Sequence, residues 1–354
     1  MEKINAIPSL TWHRLRVNEA SEKGAFPPVP RRGWGAGDVT LVKVPRGITV
    51  DEDEPIACEE LESGLGQYGD RLISENANSR WAVTVEKKIK NPLIIEDSVA
   101  AGCACVTCGS VYAVAGSSLK IIHIFRGDEG VSQSLTRIYL EEGAQVELCE
   151  IQLLGAAVSR HCGVAAFGQA GSQFRYTRLE LGGAVTVCGA KAVLSARSAA
   201  FDMACAYMGT GDEYLDFNDV ANHIGRETGS EMHVFGVLGG TADKILRGTI
   251  DFRPGAGRSV GHESESVILM SPGVRNRTVP LILCGEEEVE GQHAASAGRL
   301  DEDALYYLNA RGISPEEARR LMIEAGFRPV ADRIPDAKLR DEVLEELGRR
   351  IASL

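Results

Sequence analysis

The chain has 354 residues, with 38 basic and 50 acidic side chains, a formal net charge of −12, 44% apolar residues and only 6% aromatics. This composition excludes wholesale disorder, and the acidic balance leaves no cationic excess for neutralising nucleic-acid phosphates or an anionic membrane surface. No run of 18 apolar residues occurs, the opening MEKINAIPSLTWHRL lacks the apolar stretch of a secretory signal, and nine cysteines are too sparse for a disulfide framework, so a reduced, cytoplasmic protein is expected.

Residues 1–80 read as a separate mixed region. A helix is expected over residues 11–20 with Leu15 on one face, a loop over the Pro- and Gly-rich residues 26–37, and a second helix over residues 52–65 ended by Gly64 and Gly66. The texture changes near residue 81, where WAVTVEKKI alternates apolar and polar residues as a half-buried strand does. Short β-like runs follow at 93–95, 111–114, 121–125, 136–140 and 146–153.

A weak repeat then emerges. Small or turn-prone pairs (Gly143-Ala144, Gly171-Ser172, Ser198-Ala199, Gly229-Ser230, Gly257-Arg258, Gly285-Glu286) precede apolar anchors at Val146, Phe174, Phe201, Met232, Val260 and Val289. Successive anchors are 28, 27, 31, 28 and 29 residues apart, and two β-like runs fit inside most periods, as at 173–181 and 185–194. Strands at this period, with no helices between them, predict a solenoid of β coils whose inner faces are buried only by stacking. Glycine suits the corners because it tolerates positive φ. A β-sandwich with evenly spaced strands is the alternative. The domains expected are therefore a mixed or helical region at 1–80, a β-helix core at 81–299 and a helical region at 300–354.

In that last region Asp301 is placed to cap a helix carrying Leu305 and Leu308, and Gly312 to stop it. Ser314-Pro315-Glu316-Glu317 is a start signal, with Ser at the N-cap and Pro at the first helical position. Ala318, Leu321, Met322 and Ala325 mark the expected buried face, with Gly326 as the end. A last helix over 336–351 carries Leu339, Val343, Leu347 and Ile351 on one stripe.

Several clusters offer chemistry. Cys103, Cys105 and Cys108 form the densest thiol group, with C-x-C-x2-C spacing suited to zinc or an iron–sulfur cluster and with Cys149 or Cys162 as a fourth ligand; the alternative is buried thiols in a Cys/Ala/Val strand. Asp212, Glu213, Asp216 and Asp219 suit paired acids in a β-helix carbohydrate-active enzyme, a calcium site, or a solvated loop. GVLGG at 236–240 lacks the Gly-Lys-Ser/Thr ending of a phosphate loop, so the chain itself is expected to bind no nucleotide, and no nucleophile elbow is legible. Cys284 lies nine residues before His293, a thiol and an imidazole suited to iron or sulfur chemistry, or else a small core residue and a strand histidine held by a carbonyl.

Three stretches together resemble the SufB/SufD family, the scaffold subunits of the Suf iron–sulfur cluster assembly machinery. They are HIGRETGSEMHVFGVLGGTADKILRGTIDF at 223–252, PLILCGEEEVEGQHAASAGRL at 280–300 and DEDALYYLNARGISPEEARRLMIEAGF at 301–327. The third is the most specific, through the order Tyr307-Leu308, Arg311-Gly312-Ile313-Ser314 and Glu317-Ala318-Arg319. The resemblance implies a mainly β protein, a right-handed parallel β-helix with helical ends, acting as a scaffold rather than an enzyme. It implies two β-helix subunits pairing through edge strands and a SufC-like ABC ATPase docked on the C-terminal helices, here on Arg319, Arg320, Leu321 and Met322. A transient iron–sulfur cluster and a cysteine desulfurase or sulfur carrier as a further partner go with it.

His293 matches the histidine of the family's closing motif, which implies a ligand for the nascent cluster at the subunit interface. SufB-type subunits carry a Glu directly after this His and a Cys about 28 positions before it. Here Ala294 follows, and position 265, 28 residues back, is a glutamate. The chain therefore looks SufD-like, paired with a SufB-like sister, or like the single scaffold of a reduced Suf system, paired with its own copy. In the second case Glu265 is a candidate oxygen ligand; otherwise it is a solvated strand residue. His223 and His233 are expected to pack at the dimer face. A stand-alone metal-binding protein centred on Cys103–Cys108 is the remaining alternative.

Overall fold

Runs of about ten residues, some alternating in burial and others buried almost throughout, are punctuated by tight turns and build the molecule coil by coil. The computed structural model describes residues 3–9, 11, 15–27, 35–51, 58, 60–352 and 354. Its strands are β1 (Gly35–Ala36), β2 (Asp38–Lys43), β3 (Val50–Asp51), β4 (Ser79–Val85), β5 (Leu93–Val99), β6 (Cys103–Ala113), β7 (Ser118–Leu140), β8 (Gln145–Gly168), β9 (Gln173–Leu181), β10 (Val185–Leu194), β11 (Ala200–Gly209), β12 (Tyr214–His223), β13 (Gly229–Leu238), β14 (Asp243–Phe252), β15 (Val260–Leu269), β16 (Arg275–Cys284) and β17 (Glu290–Gly298). Strand accounts for 51% and helix for 17%, and the strands form a parallel β-solenoid of about eight turns with helices at both ends, not a sandwich.

Two parallel faces result. One stacks β5, the first half of β7, the first half of β8, then β9, β11, β13, β15 and β17. The other stacks β4, β6, the second halves of β7 and β8, then β10, β12, β14 and β16. The long strand β7 passes between faces at Gly127 and Gly130, where φ is +145° and +128° and the backbone of Val99 and Cys103 leaves no space for a Cβ. Near the start, β2 pairs antiparallel with β5, and β3 with β4.

The repeat is real, but its register differs from the expected anchors. Val146, Phe174 and Phe201 do stack. The column then continues through Ser230, Gly261 and Gly291, not Met232, Val260 and Val289. The left-handed corners are Gly143, Gly171, Ser198, Glu227 and Arg258, with φ of +67°, +65°, +59°, +57° and +65°. Gly229 and Gly257 are therefore not the corner residues. Side-chain pairs between successive corners, Arg197 with Glu227 at 2.8 Å and Arg258 with Glu288 at 3.3 Å, accompany the change from glycine.

The N-terminal expectations are largely corrected. Residues 12–14, 28–34, 52–57 and 59 lie outside the described set, so those parts of the two expected helices and of the loop go with them. Residues 16–20 form turns and bends rather than helix, Arg16 has φ +50°, and Leu15 is 55% exposed. Residues 60–65 are not helical either. They lie against the outer face of β10 and β12, where Asn218 Nδ2 donates to the Gly64 carbonyl at 2.7 Å and Gly64 meets Gly189 with no room for a Cβ on either. The helix of this region is α1 (Gln67–Asn76), whose Ile73 packs with Ala104, Val106 and Cys108 of β6.

The C-terminal helices are α2 (Glu302–Ala310), α3 (Pro315–Ala331) and α4 (Ala337–Ile351). The Asp301 side chain accepts from the Asp303 and Ala304 amides, Ser314 Oγ from Glu317 N, and Gly312 has φ +89°. α3 does not stop at Gly326 but runs to Ala331. Gly326 is there because the Phe235 ring of β13 presses on the helix at that point.

Candidate functional site at the end of the solenoid

Register fixes which side chains share the lumen. One inward column runs Leu148, Tyr176, Met203, Met232, Glu263, His293. Its last two coils carry ionisable groups where the earlier ones carry largely apolar bulk. His293 Nδ1 lies 2.7 Å from Glu263 Oε2, with side-chain exposures of 18% and 5%. The Glu263 carboxylate sits against Gly248, where any Cβ would collide with it. Burial raises the Glu263 pKa above the usual carboxylate range, although His293 opposes it. For His293 burial disfavours the imidazolium, but Glu263, aided by the Leu281 carbonyl, outweighs it and raises the pKa.

This pair lies at the open end of the coil. Among the described residues, β17 pairs only with β15 and β16 only with β14, so both terminal strands keep a free edge. Every β17 residue except His293 is exposed.

Behind the pair, the lumen is ionic. Glu265 Oε1 receives Lys244 Nζ at 2.5 Å and Tyr207 OH at 3.0 Å, and its Oε2 receives Thr278 Oγ1 at 2.5 Å. Glu265 is thus buried and engaged, not solvated. Further in, Arg178 pairs with Asp219, and Arg160 lies 3.6 Å from Glu180 and 4.0 Å from Glu150, its guanidinium 3.5 Å from the Phe125 ring centre. Cys162 Sγ donates to Glu150 at 3.1 Å and Cys188 Sγ to Glu180 at 3.5 Å. Burial pushes the Cys205 thiol up to about 11 and Cys188 well above its ordinary value, so these are thiols, not thiolates, at neutral pH.

The other sequence candidates scatter. Cys284 at the end of β16 is exposed, its Sγ 3.2 Å from the Glu286 carbonyl. In β6, alternation puts Cys103 and Cys105 on one face and Cys108 on the other, against α1. Burial raises Cys105 to about 12, and no group of three or more metal-binding side chains converges among the described residues. Of the acids at 212–219, Asp212 is an exposed turn residue and Glu213 accepts from the Thr210 amide in the same turn at 2.8 Å, and the other two form no pair. Asp216 and Asp219 sit in buried strand β12, on opposite faces, neutralised by Arg247 and Arg178 respectively. His223 is enclosed, held by Thr228 Oγ1 at 2.7 Å and Ser230 Oγ at 2.9 Å, while His233 is exposed beside Ser264. On α3, Arg319, Arg320 and Leu321 are exposed and Met322 half-buried, with Arg320 paired to Glu324 at 2.6 Å. Tyr306 and Tyr307 of α2 are 76% and 57% exposed.

Sequence reasoning passed over two features. Glu263 is one, although it stands in the same HESES run as Glu265; the signal was the coil length, since Glu263 and not Glu265 is the residue one coil below His293. The other is the exposure of the tyrosine pair of α2: Tyr307 is read only within the family motif, although DALYYLNA sets two adjacent aromatics on a helix of nine residues.

Fold and site together define a parallel β-solenoid protein with an ionic lumen that ends in a histidine–carboxylate pair at open strand edges. Residues 101–326, well over half the chain, match the family described as SUF system FeS cluster assembly, SufBD core domain, and the chain belongs to that family. It is similar to the iron–sulfur cluster assembly protein SufD of Bacillus subtilis (strain 168), with 29% identity over 150 residues, 42% of this chain and 34% of that protein. A SufBD family iron–sulfur cluster assembly protein of Pyrococcus horikoshii is 26% identical over 212 residues, 57% of this chain and 45% of the relative. SufD of Escherichia coli (strain K12) is 26% identical over 107 residues, 30% of this chain and 25% of the relative. The chain thus aligns with less than half the length of each of these relatives. Among the described residues no helix is long and apolar enough to cross a membrane.

Proposed function

We propose that the chain is a cytoplasmic scaffold subunit of a Suf-type assembly complex, on which iron and sulfide, as substrates, are built into a transient cluster at the open end of the β-helix. The observation that carries this reading is His293, an imidazole at the last coil beside two free strand edges, in a chain of the SufBD family. A neutral imidazole is a good iron ligand. The exposed thiol of Cys284, on the other terminal strand, is the proposed soft donor from this subunit. Glu265 is left out of the ligand set because both its oxygens are engaged.

The free edges of β16 and β17 suit a SufB-like sister or a second copy of this chain, since an open edge is a template for another β-helix. The exposed face of α2 and α3 suits a SufC-like ABC ATPase, with Tyr306, Tyr307 and Leu321 as apolar anchors and Arg319 and Arg320 at the rim. The chain has no phosphate loop, so nucleotide energy comes from that partner. A cysteine desulfurase or sulfur carrier supplies the sulfur.

The test is anaerobic reconstitution with ferrous iron and sulfide of the chain mixed with a SufB-type subunit and its ATPase, followed by size exclusion. Co-elution and cluster absorbance that His293→Ala abolishes are expected. Absence of co-elution under every nucleotide condition, or unchanged loading of His293→Ala, overturns the reading.

A further inference from the structure

We infer that the first coil of the solenoid, at the end opposite His293, is a docking surface for an acidic, extended polypeptide segment, which adds to the free edge of β2 and meets a cluster of unpaired cations there. This surface lies outside the proposed cluster site and does not depend on it.

Charge marks this end of the molecule. The loops at 43–49 and 86–92 carry five basic residues, Lys43, Arg46, Lys87, Lys88 and Lys90, and one acid, Glu86, in a chain of net charge −12. All five cations are exposed, and among the described residues none of their side chains makes a hydrogen bond or an ion pair. Nearby cations on the same face are matched: Lys120 lies 3.3 Å from Glu147, and Arg126 pairs with both Glu96 and Glu342.

The fold gathers the five into one corner. Lys43 stands opposite Ile94 at the start of β5. Residue 47 is a glycine at φ +96°, and the end of the Lys87 side chain occupies the place that a β-carbon there would take. Lys88 is bridged to Ser118 at the start of β7. Like charges held this close repel one another, and an anionic occupant removes that cost.

The edge supplies the backbone. β2 runs antiparallel to β5 and, among the described residues, pairs with no other strand, so one row of its N–H and C=O groups is open. Val39 and Leu41 pack against the core, while Val42 and Val44 are 54% and 44% exposed. A strand added to such an edge draws affinity from main-chain hydrogen bonds and specificity from its side chains. The edge also has a charge direction, with Asp38 at its start and Lys43 at its end. An antiparallel occupant therefore presents its acids first, opposite the loops, and uncharged residues after them.

A lysine and a bulge, here between Leu41 and Lys43, are common guards against unwanted strand pairing. They account for Lys43. The other four cations lie beyond the strand's end, where they guard nothing. A second copy pairing through β2 would bring only Asp38 toward them. Nucleic acid and anionic membranes are repelled by the acidic remainder of the chain and use no strand edge.

The experiment uses the full chain and a fluorescent heptapeptide, Glu-Glu-Glu-Val-Thr-Val-Thr, read by anisotropy, with Gln-Gln-Gln-Val-Thr-Val-Thr as the uncharged control. Amide hydrogen exchange over residues 38–43 is followed with and without peptide. The acidic peptide should bind at least about tenfold more tightly than the control, weaken as salt is raised, and slow exchange within 38–43. The combined changes Lys87→Glu, Lys88→Glu and Lys90→Glu should weaken it at least about tenfold and leave the control peptide unaffected.

Equal binding of the two peptides, unchanged affinity in the charge-reversed chain, or binding without protection of residues 38–43 overturns the inference. Should the charge-reversed chain fold poorly, a salt-independent affinity in wild type overturns it instead. Binding of single-stranded DNA or phosphatidylserine vesicles without binding of the peptide, or self-association that charge reversal abolishes, assigns the cations to another class of partner and overturns it as well. None of these readings involves His293, so they stand apart from the fate of the cluster site.

Discussion

Arg178 of β9 and Asp219 of β12 close a two-pronged ion pair across the lumen, NH1 to Oδ1 at 3.0 Å and NH2 to Oδ2 at 2.8 Å, with both side chains enclosed. The bond ties one face of the coil to the other. Asp219→Ala strands a guanidinium in the interior and is expected to lower stability by about 3–5 kcal/mol, while the double change Arg178→Met, Asp219→Leu should recover most of it. Denaturant unfolding of the three variants checks this. A single substitution that leaves the midpoint in place would show that the pair contributes nothing.

Acid should weaken the fold through two histidines. Burial holds both His161 and His223 near a pKa of about 4, below the ordinary value of about 6.5. Because the unfolded chain takes up these protons first, their contribution is complete above about pH 6.5 and is lost as pH falls toward 4. Each should cost about 2 kcal/mol by pH 5. Asp70, raised by burial to about 6, works in the opposite sense and gains stability on acidification. Comparing wild type with His223→Gln by urea unfolding at pH 7.5 and pH 5 isolates one contribution. The variant should show the shallower loss.

Helix α3 should object to alanine at one position. Alanine is intrinsically the better helix former by about 1 kcal/mol. At Gly326, however, its methyl would enter the Phe235 ring, itself edge-on to Phe327 at 5.3 Å. Gly326→Ala should destabilise by about 1–3 kcal/mol, and Phe235→Leu in the same chain should relieve part of that. A thermal scan showing Gly326→Ala above wild type would mean that the helix can move away.

The exposed tyrosines should matter for association and not for folding. Tyr306→Ala combined with Tyr307→Ala removes 76% and 57% exposed side chains from a helix that buries no residue of its own. Stability should stay within about 0.5 kcal/mol, whereas binding of a SufC-like ATPase should weaken at least about tenfold, or 1.4 kcal/mol. Calorimetric titration beside a melting curve separates the two.

Some of this could be read without coordinates. Ser314-Pro315 opened α3 and Asp301 capped α2 where expected, because capping is a local hydrogen bond written in a few adjacent residues. The solenoid was legible because its turns recur. Its register was not. Tyr176, Met203, Met232, Glu263 and His293 are neighbours in one column, yet they stand 27, 29, 31 and 30 residues apart. A count of 28 from His293 therefore lands on Glu265, which faces the same lumen but belongs to Lys244. Gly326 looked like a helix end because a ring one strand away, which no local pattern reveals, is what requires it.

What the sequence determined alone is the wound β architecture, the helical tail and the family, since periodicity, caps and motif order are properties of neighbouring residues. Only the tertiary structure decided that Asp216 and Asp219 serve as counter-ions, that the thiols at 103–108 divide between two faces, and that Glu263 meets His293. Those outcomes depend on coil length summed over many turns, and each small insertion at a corner shifts which side chains stand together.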